Sequence, residues 1–353
     1  MTKNQERAYI NVVKGIAVVL MIWGHCIQYS SESAFNVFDH PVFQGIYSFH
    51  MPLFMLISGY LFAFSFRKRD LKTLLVRRTQ SMLQPIVFAS MLNAFLAKLP
   101  TLLLYRTIRL TNGELFTGLY SLWFLWCVLS ASTAVAIAGK AARNSWQQLL
   151  YMILGVFLVA LFPENHYHLY MYPYFVAGFY YGMYRSRIPS WLTKCAMASL
   201  LIFPVMLPFY ESRHFIYFTP VYSPEMELLE MLQLNGFRWG IGFAGSLFVL
   251  VLSKWGFCLL EGRKAGAKLL QLLSNLGENS LAIYSISVAL LSGYLSKVFD
   301  RVLLVAGSNI FAENMVFYNW IFAPALTLVY CIGLYYVVLF MKKIKIHALV
   351  FGR

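Results

Sequence analysis

Long apolar stretches, separated by short basic segments, recur along the whole sequence and constrain the fold more than any other feature. Hydrophobic residues make up 59% of the 353 residues and charged residues only 12%, whereas a soluble domain carries about 25% charge. In lipid, only helices and closed barrels satisfy every backbone polar group. These stretches are too long and too continuously apolar for barrel strands. The sequence therefore predicts an all-α, polytopic membrane protein.

We predict one transmembrane domain, residues 1–353, with about ten transmembrane helices. The predicted spans are 9–29, 42–65, 80–104, 118–138, 147–163, 170–184, 193–210, 237–256, 277–297 and 316–341. Lysine and arginine concentrate in alternate connections, above all in 67–78. By the positive-inside rule, both termini are cytoplasmic. Topology thus explains most of the net charge of +15, and we predict membrane lipid rather than nucleic acid as the surroundings.

The first span carries two ionisable side chains on one face. Lys14 and His25 are eleven residues apart, which in a helix is about three turns plus ~20°, or about 16 Å along the axis. Asn11, Val18 and Ile22 complete this stripe. Ionisable groups inside a span by default face the bundle interior and mark a functional path, and histidine suits acid–base chemistry. The alternative is a snorkelling lysine and a histidine bonded to a neighbouring helix.

The second span contains the sequence Phe49-His50-Met51-Pro52, followed by Ser58-Gly59. The proline frees backbone groups, and the small residues let a neighbouring helix pack closely. In the predicted orientation His50 lies about two turns inside this span, at a depth similar to that of His25. The stretch is either a kinked packing helix or the carrier of a second acid–base group.

Polar residues near other spans are further candidates. Arg77 and Arg78 precede the third span, as positive-inside anchors or as ligands of phosphate oxygens. Trp123 belongs to the core, an interfacial belt or a pocket wall. Glu278 is a carboxylate at a membrane boundary facing the bundle. The next two residues, Asn279 and Ser280, are alternative candidates for the helix cap of the ninth span.

Several other sites are not indicated. The sequence contains no Walker loop, Rossmann fingerprint or HExxH motif, and its five cysteines are scattered singly. His166 and His168 have no cysteine or carboxylate cluster nearby beyond Glu164. We therefore predict no metal site.

Taken in order, these segments resemble the membrane acyltransferase-3 family. Within it, the sequence is most similar to stand-alone O-acetyltransferases and fucose-4-O-acetylase-like members acting on cell-surface polysaccharides. The matching segments are Lys14-Gly15-Ile16-Ala17, Gly24-His25, Phe49-His50-Met51-Pro52-Leu53-Phe54, Ser58-Gly59-Tyr60-Leu61, Arg77-Arg78 through Pro85, Leu122-Trp123-Phe124-Leu125, Tyr172-Pro173-Tyr174-Phe175 with Gly178, and Leu276-Gly277-Glu278-Asn279-Ser280-Leu281-Ala282-Ile283-Tyr284.

The resemblance implies a ten-helix enzyme of the bacterial inner membrane. Such an enzyme takes an acyl group, usually acetyl, from cytoplasmic acetyl-CoA or another acyl-CoA. It delivers this group to a sugar hydroxyl of a glycan or glycolipid at the outer face. The family's basic residue and following histidine correspond to Lys14 and His25. The family more often has arginine where this chain has Lys14. Many members have aspartate in place of Asn11 and histidine in place of Ser287.

The resemblance also implies roles for these residues. His25 is the expected general base, with Lys14 and His50 as further catalytic groups. Lys14 is also expected to bind acyl-CoA. The expected acyl-CoA-binding residues are Lys14, Asn11, Ser58, Arg77, Arg78 and Trp123. Transfer is either direct from the thioester or through an acyl-histidine intermediate.

Two other functional classes compete with an acyltransferase. A transporter or flippase of a glycan-related substrate also places polar groups along one helix at mid-membrane. However, no convincing inverted repeat relates the two halves of the sequence, and broken helices do not recur at matching positions. The third class is a glycan-binding or assembly subunit without catalysis.

Overall fold

A computed structural model describes residues 2–30, 36–105, 118–291 and 314–351, and these residues form helices and connecting turns without a strand. The all-α prediction is confirmed. The helices are α1 (Lys3–Ser30), α2 (Pro41–Tyr47), α3 (His50–Lys68), α4 (Leu71–Tyr105), α5 (Trp123–Ala141), α6 (Ser145–Val159), α7 (Asn165–Tyr184), α8 (Ser190–Met206), α9 (Leu228–Leu260), α10 (Lys264–Glu278), α11 (Ser280–Leu290), α12 (Ala323–Lys343) and α13 (Ile346–Phe351). A π-helix, Tyr318–Phe322, leads into α12.

Among the described residues, five helical segments are long and apolar enough to cross a membrane. They are Asn4–Ser30, Pro41–Lys68, Trp123–Ala141, Leu228–Leu260 and Met315–Lys343, and shorter apolar helices are Ser145–Val159, Ala196–Phe209 and Ser280–Leu290. These segments indicate a membrane protein. The count of ten crossings and the cytoplasmic termini stay predictions, and the end of the ninth predicted span, 292–297, lies outside the described residues.

The second predicted span is interrupted just before His50. The chain leaves α2 at Tyr47 and re-enters a helix at His50, with Phe49 as the preceding cap. The Leu53 N–H donates to the Phe49 carbonyl at 2.9 Å. Pro52 falls in the first turn of α3, where helical N–H groups have no intrahelical acceptor and a proline costs little. His50 is therefore the first residue of a helix rather than a side chain two turns inside one.

Two further boundaries differ from the sequence prediction. The eighth predicted span is part of α9, whose 33 residues give a length of about 50 Å, more than the ~30 Å hydrocarbon core. This helix includes residues 228–236, which lie before the predicted start of the eighth span at residue 237. The ninth predicted span begins within α10. The helix is interrupted at Asn279, and α11 starts at Ser280.

The chain divides into two compact units. The first comprises Met1–Ile46, Leu83–Trp123 and Lys264–Arg353, and the second comprises Tyr47–Met82 and Phe124–Arg263. His25 belongs to the first unit and His50 to the second.

In the first unit, α1 and α10 cross at backbone contact. A Cβ atom at Gly277 would clash with the Asn11 carbonyl, and one at Gly15 would clash with the Leu273 carbonyl. Glycine lets two helix backbones approach in this way, because no side chain separates them. The crossing fixes the start of α1 against the end of α10.

In the second unit, α3 and α7 cross in the same manner. A Cβ at Gly59 would clash with the Phe175 carbonyl, and one at Gly178 would clash with the Leu56 carbonyl. The prediction that the Ser58-Gly59 pair admits a neighbouring helix is confirmed. Close packing here anchors the helix that carries His50.

Candidate active site

The stripe predicted on the first span lies on one continuous helix, α1. Val18 and Ile22 in the middle of the stripe are fully buried. Lys14 and His25 at its two ends are half-buried. The middle of the stripe is thus buried, with an ionisable group at each end.

At the Lys14 end, a carboxylate meets the helix. The Asn11 amide donates from Nδ2 to Oε1 of Glu278 at 3.0 Å. Lys14 follows Asn11 by three residues, so both side chains lie on one face of α1. An amide and a carboxylate therefore meet where α1 crosses α10, and Lys14 lies one turn further along the same face of α1. The sequence predicted Glu278 at a membrane boundary facing the bundle, and its partner is Asn11.

At the His25 end, hydroxyl groups join the last turns of α1 to the π-helix. The His25 and Tyr29 rings lie with centroids 5.9 Å apart. The Ser30 hydroxyl and the Tyr318 hydroxyl are 2.9 Å apart, and Tyr318 also donates to the Ile27 carbonyl at 3.2 Å. Single turns of π-helix occur frequently at functional sites. The Tyr29 ring therefore lies against His25, and the next turn of α1 is tied to the π-helix by the Tyr318 hydroxyl.

His40 belongs to the same neighbourhood, and sequence reasoning missed it. The Phe43 N–H donates to His40 Nδ1 at 3.3 Å, so Nε2 carries the ring proton and donates to Asn319 Oδ1 at 2.5 Å. Burial lowers the pKa of His40, while the bond to Asn319 raises it. The only signal in the sequence is a histidine directly before Pro41, at the start of a helix. His40 caps α2 and ties it to the π-helix.

In the second unit, His50 is almost fully buried, with 2% of its surface exposed. Its ring centroid lies 4.7 Å from that of Tyr47. Tyr47 in turn lies 6.2 Å from Phe215, in the loop between α8 and α9. His50 therefore has an aromatic wall built from a residue just before its helix and a residue distant in sequence.

Arg78 differs from the other basic residues of its region. Its Nε donates to the Ser132 hydroxyl at 3.1 Å, and its guanidinium lies 5.6 Å from the centre of the Phe62 ring. Within the described part of the chain, no carboxylate lies within ion-pair distance of Arg78. Arg77 beside it is exposed. Arg78 thus offers free donors for an external anion.

Neighbouring cations serve the helix ends instead. Lys140 donates to the Phe66 carbonyl at 3.1 Å, and Arg67 donates to the Gly182 carbonyl at 3.3 Å. Basic side chains commonly satisfy the last carbonyls of a helix in this way. These contacts give Lys140 and Arg67 a structural role that needs no ligand.

The remaining candidates are placed as follows. Ser58 is half-buried on α3, next to the crossing with α7. Trp123 is also half-buried. It is the first residue of α5 and the last residue of the range 83–123 in the first unit. Ser287 is fully buried and donates to the Tyr284 carbonyl of its own helix at 2.9 Å. In the described ranges, no group of three or more His, Cys, Asp or Glu side chains is arranged to hold a metal ion.

Comparison with known proteins adds a family. A family model described as an acyltransferase domain matches residues 7–341. Two relatives, both named "Nodulation protein NolL", come from Sinorhizobium fredii (strain NBRC 101917 / NGR234) and Mesorhizobium japonicum (strain LMG 29417 / CECT 9101 / MAFF 303099). The first is 30% identical over 189 residues, covering 51% of this chain and 50% of that protein. The second is 28% identical over 186 residues, covering 51% and 49%. The chain thus spans about half the length of the curated relatives it matches. No solved structure shows significant similarity to it.

Proposed function

Because this chain belongs to the acyltransferase-3 family, we propose that it is an O-acyltransferase of the bacterial inner membrane. It moves an acyl group, normally acetyl, from cytoplasmic acyl-CoA to a sugar hydroxyl of a cell-surface or lipid-linked glycan. One observation supports this most directly. A single helix carries Lys14, one turn from the Asn11–Glu278 pair, at one end and His25, packed against the Tyr29 ring, at the other.

The length of α1 suits the geometry of the reaction. Lys14 and His25 are about 16 Å apart along the axis, at ~1.5 Å per residue. An extended pantetheine arm can cover this distance. Lys14 then holds an anionic part of the donor near one membrane surface, and the thioester reaches His25 near the other. This arrangement lets a cytoplasmic donor meet an acceptor at the outer face.

In direct transfer, His25 accepts the proton of the sugar hydroxyl as the oxygen attacks the thioester carbonyl. The carbon–sulfur bond breaks, and the departing CoA thiolate takes up the proton from the imidazolium. In the alternative, a His25 ring nitrogen attacks the thioester and forms an acyl-imidazole, and CoA leaves as the thiol with the displaced ring proton. The sugar oxygen then takes the acyl group, and its proton returns to the imidazole. A positioned proton-transfer group of this kind contributes about 10²–10⁴-fold to the rate.

We assign His50 to the acceptor side and Arg78 to the donor side. His50 is buried behind Tyr47, which suits a second acid–base group or one that orients the acceptor. Arg78, held by Ser132 and free of carboxylates in the described ranges, suits the phosphates of CoA. Lys14, Asn11, Ser58, Arg77 and Trp123 complete the proposed donor-binding set.

The decisive experiment uses full-length protein in nanodiscs with radiolabelled acetyl-CoA and a lipid-linked or surface glycan extract. Wild type is compared with His25→Ala and with His166→Ala, a control histidine whose described partner is Glu164, at 3.7 Å. We expect labelled glycan from wild type and His166→Ala, and at least a hundredfold less from His25→Ala. Free CoA or stably labelled protein without glycan would support the acyl-histidine route.

The same experiment separates the proposed enzyme from other classes. If wild type neither binds nor consumes acetyl-CoA, the acyltransferase proposal is wrong, and a transporter or flippase becomes the better hypothesis. Glycan flux that needs no acyl-CoA would support that class. If His25→Ala transfers acetyl at the wild-type rate, His25 is not the base.

A further inference from the structure

Arg238, three turns into α9, is the largest fully buried side chain among the described residues, with 0% of its surface exposed. Its guanidinium group binds three consecutive carbonyl groups of the loop between α8 and α9. Nε donates to the His214 carbonyl at 3.0 Å, and Nη2 donates to those of Arg213 at 2.8 Å and Phe215 at 3.4 Å. Nη1 donates to Asn235 Oδ1 at 3.2 Å. One side chain thus clamps residues 213–215 onto α9.

The clamp consists of neutral acceptors. In the described ranges no carboxylate pairs with Arg238, so backbone carbonyl and amide dipoles alone balance its buried charge. A buried charge without a counter-ion is costly, and in membrane proteins such groups are mostly functional. A clamp needed only for loop attachment can be made from uncharged side chains. The presence of an arginine here therefore suggests a role that depends on the position of the loop.

The clamped loop leads to His50 through two aromatic rings. Arg238 holds the backbone of Phe215, whose ring lies 6.2 Å from Tyr47. Tyr47 lies 4.7 Å from His50. Displacing the 213–215 backbone would move Phe215 and remove one side of the wall that holds Tyr47 against His50.

The part of α9 that follows Arg238 packs directly against the start of α3. A Cβ atom at Gly245 would lie 2.5 Å from the Phe49 Cβ, and one at Gly242 would lie 3.1 Å from the Pro52 ring. The Ser246 hydroxyl is 3.5 Å from the Phe49 carbonyl. Arg238 lies one turn from Gly242 on the same helix. The clamp and the His50 segment therefore rest on one rigid support.

We propose that Arg238 is a positioning residue that sets the orientation of His50 through Phe215 and Tyr47, and thereby the acceptor half of the active site. This inference rests on the proposed function, which gives His50 its place in acyl transfer. Arg238 itself touches neither donor nor acceptor. Its contribution passes wholly through His50.

The test is a double-mutant cycle on the full chain in nanodiscs, assayed by acetyl transfer from acetyl-CoA to the glycan extract. The variants are Arg238→Met, Arg238→Lys, His50→Ala and the double variant R238M/H50A. Arg213→Met is the matched control, because Arg213 is exposed in the same loop and pairs with Glu211 at 3.3 Å. Thermal unfolding and acetyl-CoA binding are measured in parallel, so that misfolding is detected separately.

We expect Arg238→Met to lower kcat at least tenfold with an unchanged Kd for acetyl-CoA, and Arg213→Met to stay within twofold of wild type. Lysine cannot reproduce the planar fork that reaches three carbonyls, so Arg238→Lys should be intermediate. The double variant should be no slower than His50→Ala alone, because residues that act through one group are not additive. Additive losses, or wild-type kcat in Arg238→Met, would overturn the inference.

A second measurement does not need activity. Cysteines placed by Tyr47→Cys and Phe215→Cys should be joined by a short bismaleimide in the Arg238 background and at least fivefold less in the Arg238→Met background. Equal crosslinking in both backgrounds would show that Arg238 does not hold Phe215 beside Tyr47. If the crosslink depends on Arg238 but wild type transfers no acetyl group, the proposed function fails while the clamp geometry stands.

Discussion

Asn11 on α1 donates a hydrogen bond from Nδ2 to Oε1 of Glu278 at the end of α10, at 3.0 Å, although the two residues are 267 positions apart in sequence. The family resemblance leads one to expect a carboxylate at position 11. In this chain the carboxylate near Lys14 belongs instead to Glu278, and position 11 supplies the amide that holds it. The pair therefore keeps an anionic group at the lysine end of the stripe.

Introducing the aspartate expected at position 11 should lower both the thermal stability and the acetyl transfer of this protein. Asn11→Asp places a second anion against Glu278, and two like charges in a solvated setting repel by about 1 kcal/mol. We expect a lower thermal unfolding midpoint and lower acetyl transfer. The double change N11D/E278Q exchanges donor and acceptor, so it should recover both. If the double variant is as impaired as Asn11→Asp, the hydrogen bond is not what matters at this position.

The crossing of α1 and α10 should not tolerate a methyl group. In Gly277→Ala the new Cβ clashes with the Asn11 carbonyl. Overpacking of this kind typically costs about 1–3 kcal/mol. Gly256→Ala is the matched control, because nothing lies within 4 Å of a Cβ there. Thermal unfolding in nanodiscs should show a clear drop for the first variant and no drop for the second, and equal midpoints would contradict the crossing.

Arg78 and Arg77 should differ in how much each contributes to the binding of acetyl-CoA. Charge-assisted hydrogen bonds are worth about 1.5–3 kcal/mol, which corresponds to roughly a tenfold to hundredfold change. We expect Arg78→Met to raise the KM for acetyl-CoA by this factor. Arg77→Met should raise it by a smaller factor, because Arg77 is exposed and solvent screens its contact with phosphate. Initial-rate measurements across acetyl-CoA concentrations at saturating glycan decide between them. A larger effect from Arg77→Met would move the proposed phosphate site to the exposed residue.

The sequence pattern was sufficient where the signal is local. The apolar stretches predicted helices, the eleven-residue spacing placed Lys14 and His25 on one helix, and Ser58-Gly59 predicted a close crossing. These inferences depend only on helical periodicity and residue size.

Partners distant in sequence were not predictable in the same way. That Glu278 meets Asn11, or that Arg238 holds Phe215, follows from how helices cross, and one sequence contains no record of that. The break before His50 was missed because mostly apolar residues lie on both sides of it, and single polar residues such as Ser48 are also found inside spans. The one sequence signal at this place is Pro52, because proline is well accommodated in the first turn of a helix.

Acidification should loosen the loop that Arg238 clamps, through His214. The His214 Nδ1 accepts the Glu211 N–H at 2.9 Å. Burial first, and then the positive charges of Arg213 and Arg238, lower the pKa of His214 to about 4, against ~6.5 in an unfolded chain. Above pH ~6.5 both states are neutral here and stability is unaffected by this group. As pH falls from ~6.5 towards 4, the unfolded loop binds a proton that the folded loop excludes, so stability is progressively lost.

We expect His214→Asn, which can still accept the Glu211 N–H but does not titrate, to flatten the fall of the unfolding midpoint between pH 7.5 and 5. Parallel curves for wild type and His214→Asn would show that the acid sensitivity arises elsewhere.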